Sequence, residues 1–467
     1  MSPSLNFLQD RLREQLRKHR IPGASIAVLH DGVVHVAAAG YANIPAGIEA
    51  DVDTVFDIGS VTKVYTTTLM MMLVEQGLIA LDDPVGKYLP DLLIDQAPVR
   101  EAVTLRTLLN HTSGIDGDFF PDMGGGDEAL ARFVSACAQL PYLHPTGKFR
   151  AYSNSGFCIA GRVIEVVSCK PFNTLLTERL LRPLGTEKFG FLADDLMRHR
   201  RAVGHLWDSR EQRFSLPPSL RLPECQSPAG AVLAMAARDL LRLGQFHLRG
   251  GVTESGERLL GAASVAQMQA IHGEVPPSAS LLRLGWTSPK AADAFMVGHG
   301  GRTIEQTSFL AVLPEHGFGL AVLTNFGDGA NNILYDLGAA LMQELYGLEL
   351  KAQPTTAPAD LKARDIDLST LDTGRIVGHY RCAAGELELS AQGARLRGRY
   401  RANDPAIPGK VKEDALTLAP MGGDKFAILM DDPDLPRPIC ELVAEGGAGA
   451  PFSHVFAVGR VFNRVTP

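Results

Sequence analysis

Residues 57–77 read DIGSVTKVYTTTLMMMLVEQG, and how this stretch folds decides the rest of the chain. A glycine-bearing turn leads into a proline-free run in which Val61, Tyr65, Leu69, Met72 and Leu73 recur at helical spacing. The pattern predicts a helix from about Ser60 to Gly77, with the glycine as its C-terminal cap and the apolar residues facing a core. Residues three apart share a helix face, which brings the Lys63 amine to the Ser60 hydroxyl. Serine alone is a poor nucleophile and needs an adjacent base. A lysine serves only when burial or a neighbouring cation lowers its pKa from about 10.4. The helix start also favours the negative charge that develops on an attacking oxygen.

Working outward, Ala24–Leu29 and Val33–Ala38 flank Asp31-Gly32, a hairpin signal between two β-rich runs. Helical patterns dominate from Leu105 to about Gly250, and β character returns from Met296 to Asn325. A helix over Asn332–Leu345 closes this part. Strands from both ends of the segment with helices between them predict an α+β domain: one antiparallel sheet flanked by helices, plus an all-helical subdomain. Lys351–Thr373, with its prolines and small polar residues, reads as a linker. Beyond it come short β runs: Ile376–Tyr380, Glu386–Leu389, Arg395–Tyr400, Ala415–Leu418, Lys425–Met430, Cys440–Val443 and His454–Phe462. They predict a small antiparallel barrel or sandwich, with the barrel favoured because closure leaves no edge strand. The expected division is a catalytic domain over 1–350, a linker over 351–372 and a β-barrel over 373–467.

Composition narrows the function. A formal charge of −7 argues against a nucleic-acid partner, which needs a basic field. The six cysteines are scattered without metal-ligand spacing and read as reduced thiols, and the histidines lack a two-ligand spacing, so no metal or other cofactor is expected. Leu5, Leu8, Leu12 and Leu16 form one helical stripe at the start of the chain, unlike a secretory signal. No run reaches the roughly 18 apolar residues of a membrane span. The expectation is a cytoplasmic protein with no membrane partner.

Two further motifs join Ser60 and Lys63. In Tyr152-Ser153-Asn154, a phenol can relay a proton and an amide can orient the lysine and a substrate carbonyl. Tyr41-Ala42-Asn43 repeats the pattern but follows a β-rich run ahead of the nucleophile, and reads as structural. In Val297-Gly298-His299-Gly300-Gly301-Arg302, glycines at the edge of the late β region let backbone approach a substrate. A following N–H could then complete an oxyanion hole with that of Ser60.

With these motifs in this order, residues 5–345 resemble the penicillin-binding-protein-like serine hydrolases: class C β-lactamases, family VIII esterases and D-amino-acid peptidases. His111-Thr112-Ser113-Gly114 and Ser227-Pro228-Ala229-Gly230 fit the same pattern. The resemblance implies catalytic roles for Ser60, Lys63, Tyr152, Asn154 and His299. It also implies oxyanion donors at the Ser60 and Arg302 amides, substrate contacts at Gly300 and Gly301, and a lipocalin-like barrel behind the catalytic domain. Lactam- and D-Ala-recognising members carry Lys-Thr where this chain has His299-Gly300. A histidine is mostly neutral near pH 7, which favours esterase, peptidase or acyl-transfer chemistry. The His-Gly-Gly substitution and the barrel are similar to the stand-alone penicillin-binding-protein-type thioesterases that cyclise nonribosomal peptides. Asp116-Gly117-Asp118 through Asp127 looks similar to them as well. That resemblance implies a small-molecule or peptidyl substrate, with a carrier protein as one means of delivery. A cytosolic esterase or D-amino-acid amidase is the enzymatic alternative, and an acylatable sensor the non-enzymatic one. The barrel is expected to cover or extend the acyl site.

Overall fold

The computed structural model describes residues 7–94, 98–276, 280–287, 294–327, 329–350, 371–392, 395–403, 411–422, 424–430, 439–444, 450–457 and 459–465. The predicted linker lies almost wholly outside them, as does Leu5. From the stripe at the chain start, Leu8, Leu12 and Leu16 are buried on α1 (Leu8–Lys18). The hairpin forms as predicted, with β1 (Gly23–His30) and β2 (Val33–Asn43) joined at Asp31-Gly32, both in the left-handed region. A short β3 (Ile48–Glu49) follows.

The predicted helix is split. A single 3₁₀ turn, Gly59–Val61, carries the serine, and α2 (Thr62–Glu75) begins one turn later. Every α2 residue from Thr62 to Leu73 is buried, not one stripe alone. Its threonines make this possible. The Thr66, Thr67 and Thr68 hydroxyls donate to the carbonyls of Thr62, Lys63 and Val64 one turn back, so three buried hydroxyls find partners within the helix, while Thr62 Oγ1 is buried without one among the described residues.

The middle of the chain supplies α3 (Ala129–Ala136), α4 (Asn154–Ser168) and α5 (Ala237–Leu248). Then β4 (Val297–Arg302), β5 (Thr307–Leu313) and β6 (Phe318–Thr324) complete an antiparallel sheet in the order β4-β5-β6-β1-β2-β3. The two chain ends meet at β1 and β6, where Ile26 pairs with Val322. All eight β1 residues are buried because helices cover both faces. Leu12 of α1 packs with Phe318 and Leu341 on one side, and α2 and α5 belong to the core on the other. His299 lies within the edge strand β4, so its Gly-Gly run is strand rather than a tight turn.

The C-terminal part is a closed eight-stranded antiparallel barrel: β7 (Gly378–Cys382), β8 (Gly385–Gln392), β9 (Arg395–Asn403), β10 (Val411–Gly422), β11 (Lys425–Met430), β12 (Ile439–Val443), β13 (His454–Ala457) and β14 (Arg460–Val465). The sequence runs suggest seven strands. The last run, His454–Phe462, is in fact a hairpin that turns at Gly459, whose φ is 75°. That hairpin rests on the α+β domain. Phe456 and Val461 pack with Leu143, Phe149 and Ala151, and Asn463 Nδ2 donates to the Leu143 carbonyl at 2.7 Å.

The turn that carries Ser60 is pressed against the edge strand. A Cβ on Gly301 would lie 1.9 Å from the Ile58 carbonyl oxygen. Gly301→Ala is therefore expected to cost about 2–3 kcal/mol through overpacking, read as a lowered calorimetric Tm, together with slower acylation.

Candidate active site

Ser60 sits at the mouth of α2, half-buried, with Lys63 fully buried one turn in. The helix spacing does what the sequence predicts: Lys63 Nζ lies 3.0 Å from Ser60 Oγ. Two other acceptors hold the same nitrogen, Asn154 Oδ1 at 2.8 Å and the Ala229 carbonyl at 2.6 Å. An amine has three positions beyond its carbon, and two are committed to groups that can only accept. Only the third faces Ser60, so any proton exchange by Lys63 is directed at that hydroxyl.

The sequence explains both holding groups. Ser153 caps α4 by accepting from the Gly156 N–H, which places Asn154 at the first helical position. The small residues of α4 admit the Glu224–Ala229 turn. Pro228 is seated so closely that a Cβ on Gly161 would lie 2.3 Å from its ring. Ala229 is thereby presented to Lys63.

Tyr152 lines the same cavity as Ser60. Its ring stacks on His111 at 4.3 Å, and its backbone N–H donates to the Gly459 carbonyl of the barrel. His111 accepts the Ser153 N–H at Nδ1 and is held neutral by burial, well below the usual imidazole range. Arg302 reaches the site through its backbone: a Cβ on Gly59 would lie 2.4 Å from the Arg302 nitrogen. The Arg302 backbone nitrogen therefore stands beside the Gly59–Val61 turn that carries Ser60. Gly300 and Gly301 line the same wall. By contrast, Tyr41 and Asn43 end β2 in the sheet.

His299 is 3% exposed, and its Nδ1 lies 2.6 Å from the Gly300 carbonyl. A carbonyl only accepts, so Nδ1 carries the hydrogen and Nε2 a bare lone pair. Nε2 is buried without a partner among the described residues. Burial pushes the ring down to about 3. The His299 side chain is thus a neutral acceptor.

The cavity holds about 640 Å³, within the range of sites for small-molecule ligands. Phe120, Leu222 and Ile304 give it apolar surface, and Glu305, at a positive φ of 56°, lines it too. Sequence reasoning noted Asp118 only within a soft resemblance and passed over Arg460 entirely, yet both line this cavity. No group of three or more metal-ligating side chains occurs among the described residues. Five cysteines are buried thiols and Cys169 is exposed. No helix among the described residues is long and apolar enough to cross a membrane.

The beta-lactamase family model matches residues 8–341. Penicillin-binding protein 4 of Amycolatopsis lactamdurans is 36% identical over 367 residues, 78% of this chain and 95% of that protein. The crystal structure of SurE superimposes with a TM-score of 0.77 at 26% identity, covering 98% of each chain, barrel included. SurE with D-Leu superimposes at 0.75 and 27%, with the same coverage. The octameric penicillin-binding protein homologue from Pyrococcus abyssi shares the fold, with a TM-score of 0.61 at 23% identity over 99% of this chain and all of that one.

The depressed His299 ring makes a pH prediction. Unfolded, it gains a proton below about 6.5, whereas folded it stays neutral down to about 3. The unfolded state therefore binds more protons in that window, and stability falls as pH falls. His299→Gln should lose less stability than wild type between pH 7 and pH 4.5, by roughly 2 kcal/mol, in denaturant titrations at the two pH values. An equal loss in both proteins would refute the neutral-acceptor assignment.

Proposed function

The chain belongs to the beta-lactamase family of serine hydrolases, and on that premise we propose that it is a peptidyl thioesterase that closes or transfers peptides through an acyl-enzyme on Ser60. The observation that carries this reading is a neutral His299, its Nε2 without a partner among the described residues, lining the cavity where relatives that bind lactams place a lysine. A neutral acceptor offers nothing to a substrate carboxylate. It does suit the N–H of an incoming amine, or water's O–H. Protonating a ring of pKa about 3 at pH 7 costs roughly 5 kcal/mol, so His299 orients the acceptor and does not serve as its base.

The steps follow from the site. Lys63 takes the Ser60 proton at the one position aimed at it, and Oγ attacks the thioester carbonyl. The oxyanion is held by the Ser60 and Arg302 amides. Collapse breaks the C–S bond. Tyr152 protonates the departing thiolate and is reprotonated by the Lys63 ammonium. An amine, its N–H accepted by His299 Nε2, then attacks the acyl-enzyme. Its proton leaves through Tyr152 and Lys63, and Ser60 Oγ departs as the hydroxyl. Water in the amine's place gives the linear acid, which is esterase or amidase behaviour on the same residues. The D-Leu bound to SurE supports a D-configured residue at the reacting end of the substrate.

Intact-protein mass spectrometry of wild type and Ser60→Ala with a p-nitrophenyl ester and with D- and L-terminated peptidyl thioesters tests this. The expected result is a transient adduct on wild type alone, with cyclic product from the thioester. Adducts releasing only linear acid would replace the cyclase reading with that of a plain hydrolase, and an adduct on Ser60→Ala would remove Ser60 as the nucleophile.

A further inference from the structure

The segment carrying Tyr152 and Asn154 is held by a loop of its own domain, and that loop is held by the barrel. The Gly117 carbonyl accepts from the Asn154 and Ser155 N–H groups at 3.1 and 3.2 Å. The fit leaves no room for a side chain, since a Cβ on Gly117 would lie 2.3 Å from the Tyr152 carbonyl oxygen. The carboxylates on either side of Gly117 both face the barrel. The Ala383 N–H, between β7 and β8, donates to Asp116 Oδ2 at 2.6 Å. Arg460 Nε, at the start of β14, donates to Asp118 Oδ2, and its guanidinium carbon lies 5.0 Å from the Tyr152 ring centroid.

Asp118 has a second oxygen, and Oδ1 accepts from Asn154 Nδ2 at 3.1 Å. This settles which way the Asn154 amide faces. With its nitrogen committed to a carboxylate, its oxygen must face Lys63 Nζ, and it does so at 2.8 Å. Flipped, the amide would set a donor against the amine and an acceptor against the carboxylate. A continuous chain therefore runs from Arg460 through Asp118, Asn154 and Lys63 to Ser60, and it begins in the barrel.

We propose that Arg460 is a positioning residue for acylation, setting Lys63 through Asp118 and Asn154, so that the barrel is a working part of the catalytic site and not only its cover. The inference rests on the reading above, in which Lys63 activates Ser60. Arg460 lines the cavity, so direct substrate contact is the rival role, and the two roles separate on a small neutral donor. Substrate contact makes KM carry the loss. Positioning makes the acylation rate carry it, because misplacing a reacting group by an ångström slows the step without weakening binding.

The test uses full-length protein and p-nitrophenyl butyrate, which has no carboxylate to recognise. The variants are Arg460→Ala, Arg460→Lys, Asp118→Asn and the Arg460→Ala/Asp118→Asn double, with Arg399→Ala on the exposed barrel wall as control. Stopped-flow release gives the acylation rate, intact mass confirms the Ser60 adduct, and thermal melts report folding. Arg460→Ala should slow acylation roughly 10- to 100-fold with KM within about threefold. Arg460→Lys, still a cation for Asp118, should recover part of the rate. The double variant should be no slower than the slower single one, because residues acting through one chain are not additive. Arg399→Ala should match wild type. A wild-type rate in folded Arg460→Ala, a loss confined to KM, or a double variant showing the product of the two single losses would each overturn the proposal. If Arg460→Ala does not fold, the isosteric Asp118→Asn decides alone, and a wild-type rate there overturns it. A wild type that never acylates overturns the Ser60 reading itself, an outcome distinct from all of these.

Discussion

The site depends on how one buried amine is held. Lys63 is wholly excluded from water, so each of its hydrogen-bonding positions must find a partner in the protein. Three neutral groups provide them: a hydroxyl, a side-chain amide and a backbone carbonyl. Remove the amide or the carbonyl and the amine gains a second direction in which to point. Much of the fold is arranged around keeping those two in place. The cap at Ser153 sets where α4 begins, the small face of α4 admits the turn ending at Ala229, and both meet α2 in a single core. The sheet has a separate task. Its edge strand lies against the nucleophile turn through Gly301, and this places the Arg302 amide and His299 relative to Ser60.

What was legible in the sequence was what is local. The approach of Ser60 to Lys63 is a property of helix geometry, the Asp31-Gly32 turn is written in two residues, and the strand and helix order follows from periodicity. The α+β domain and barrel were legible for that reason. Details that depend on what lies alongside were not. The helix after Ser60 shows an apolar stripe, yet it is buried all round, because back-bonded threonines hide their polarity from a pattern of residue types. His454–Phe462 reads as one β run, since a turn at Gly459 interrupts it without a polar cluster to mark it. Arg460 gave no signal at all. Its partner Asp118 is 342 positions earlier, and no spacing rule spans that distance.

The hairpin around Gly459 also bears on the proton-relay role proposed for Tyr152. Several contacts hold this residue: its N–H on the Gly459 carbonyl, its ring on His111, and the Lys63 amine and Arg460 guanidinium near that ring. None of them engages the hydroxyl. His111 is itself held under strain, with a positive φ of 64° and an Nδ1 committed to the Ser153 N–H. A non-glycine residue in that region costs of order 1 kcal/mol or more, and persists only where its surroundings over-determine it. The return on that cost is preorganisation. Backbone and ring are fixed from two domains, so the phenol oxygen stays at the cavity wall without using its own hydrogen-bonding capacity. A relay needs that capacity unspent, because its hydroxyl must give one proton and take another within a single turnover. In the proposed mechanism the barrel therefore contributes by holding the backbone and ring of Tyr152 while leaving its hydroxyl to react.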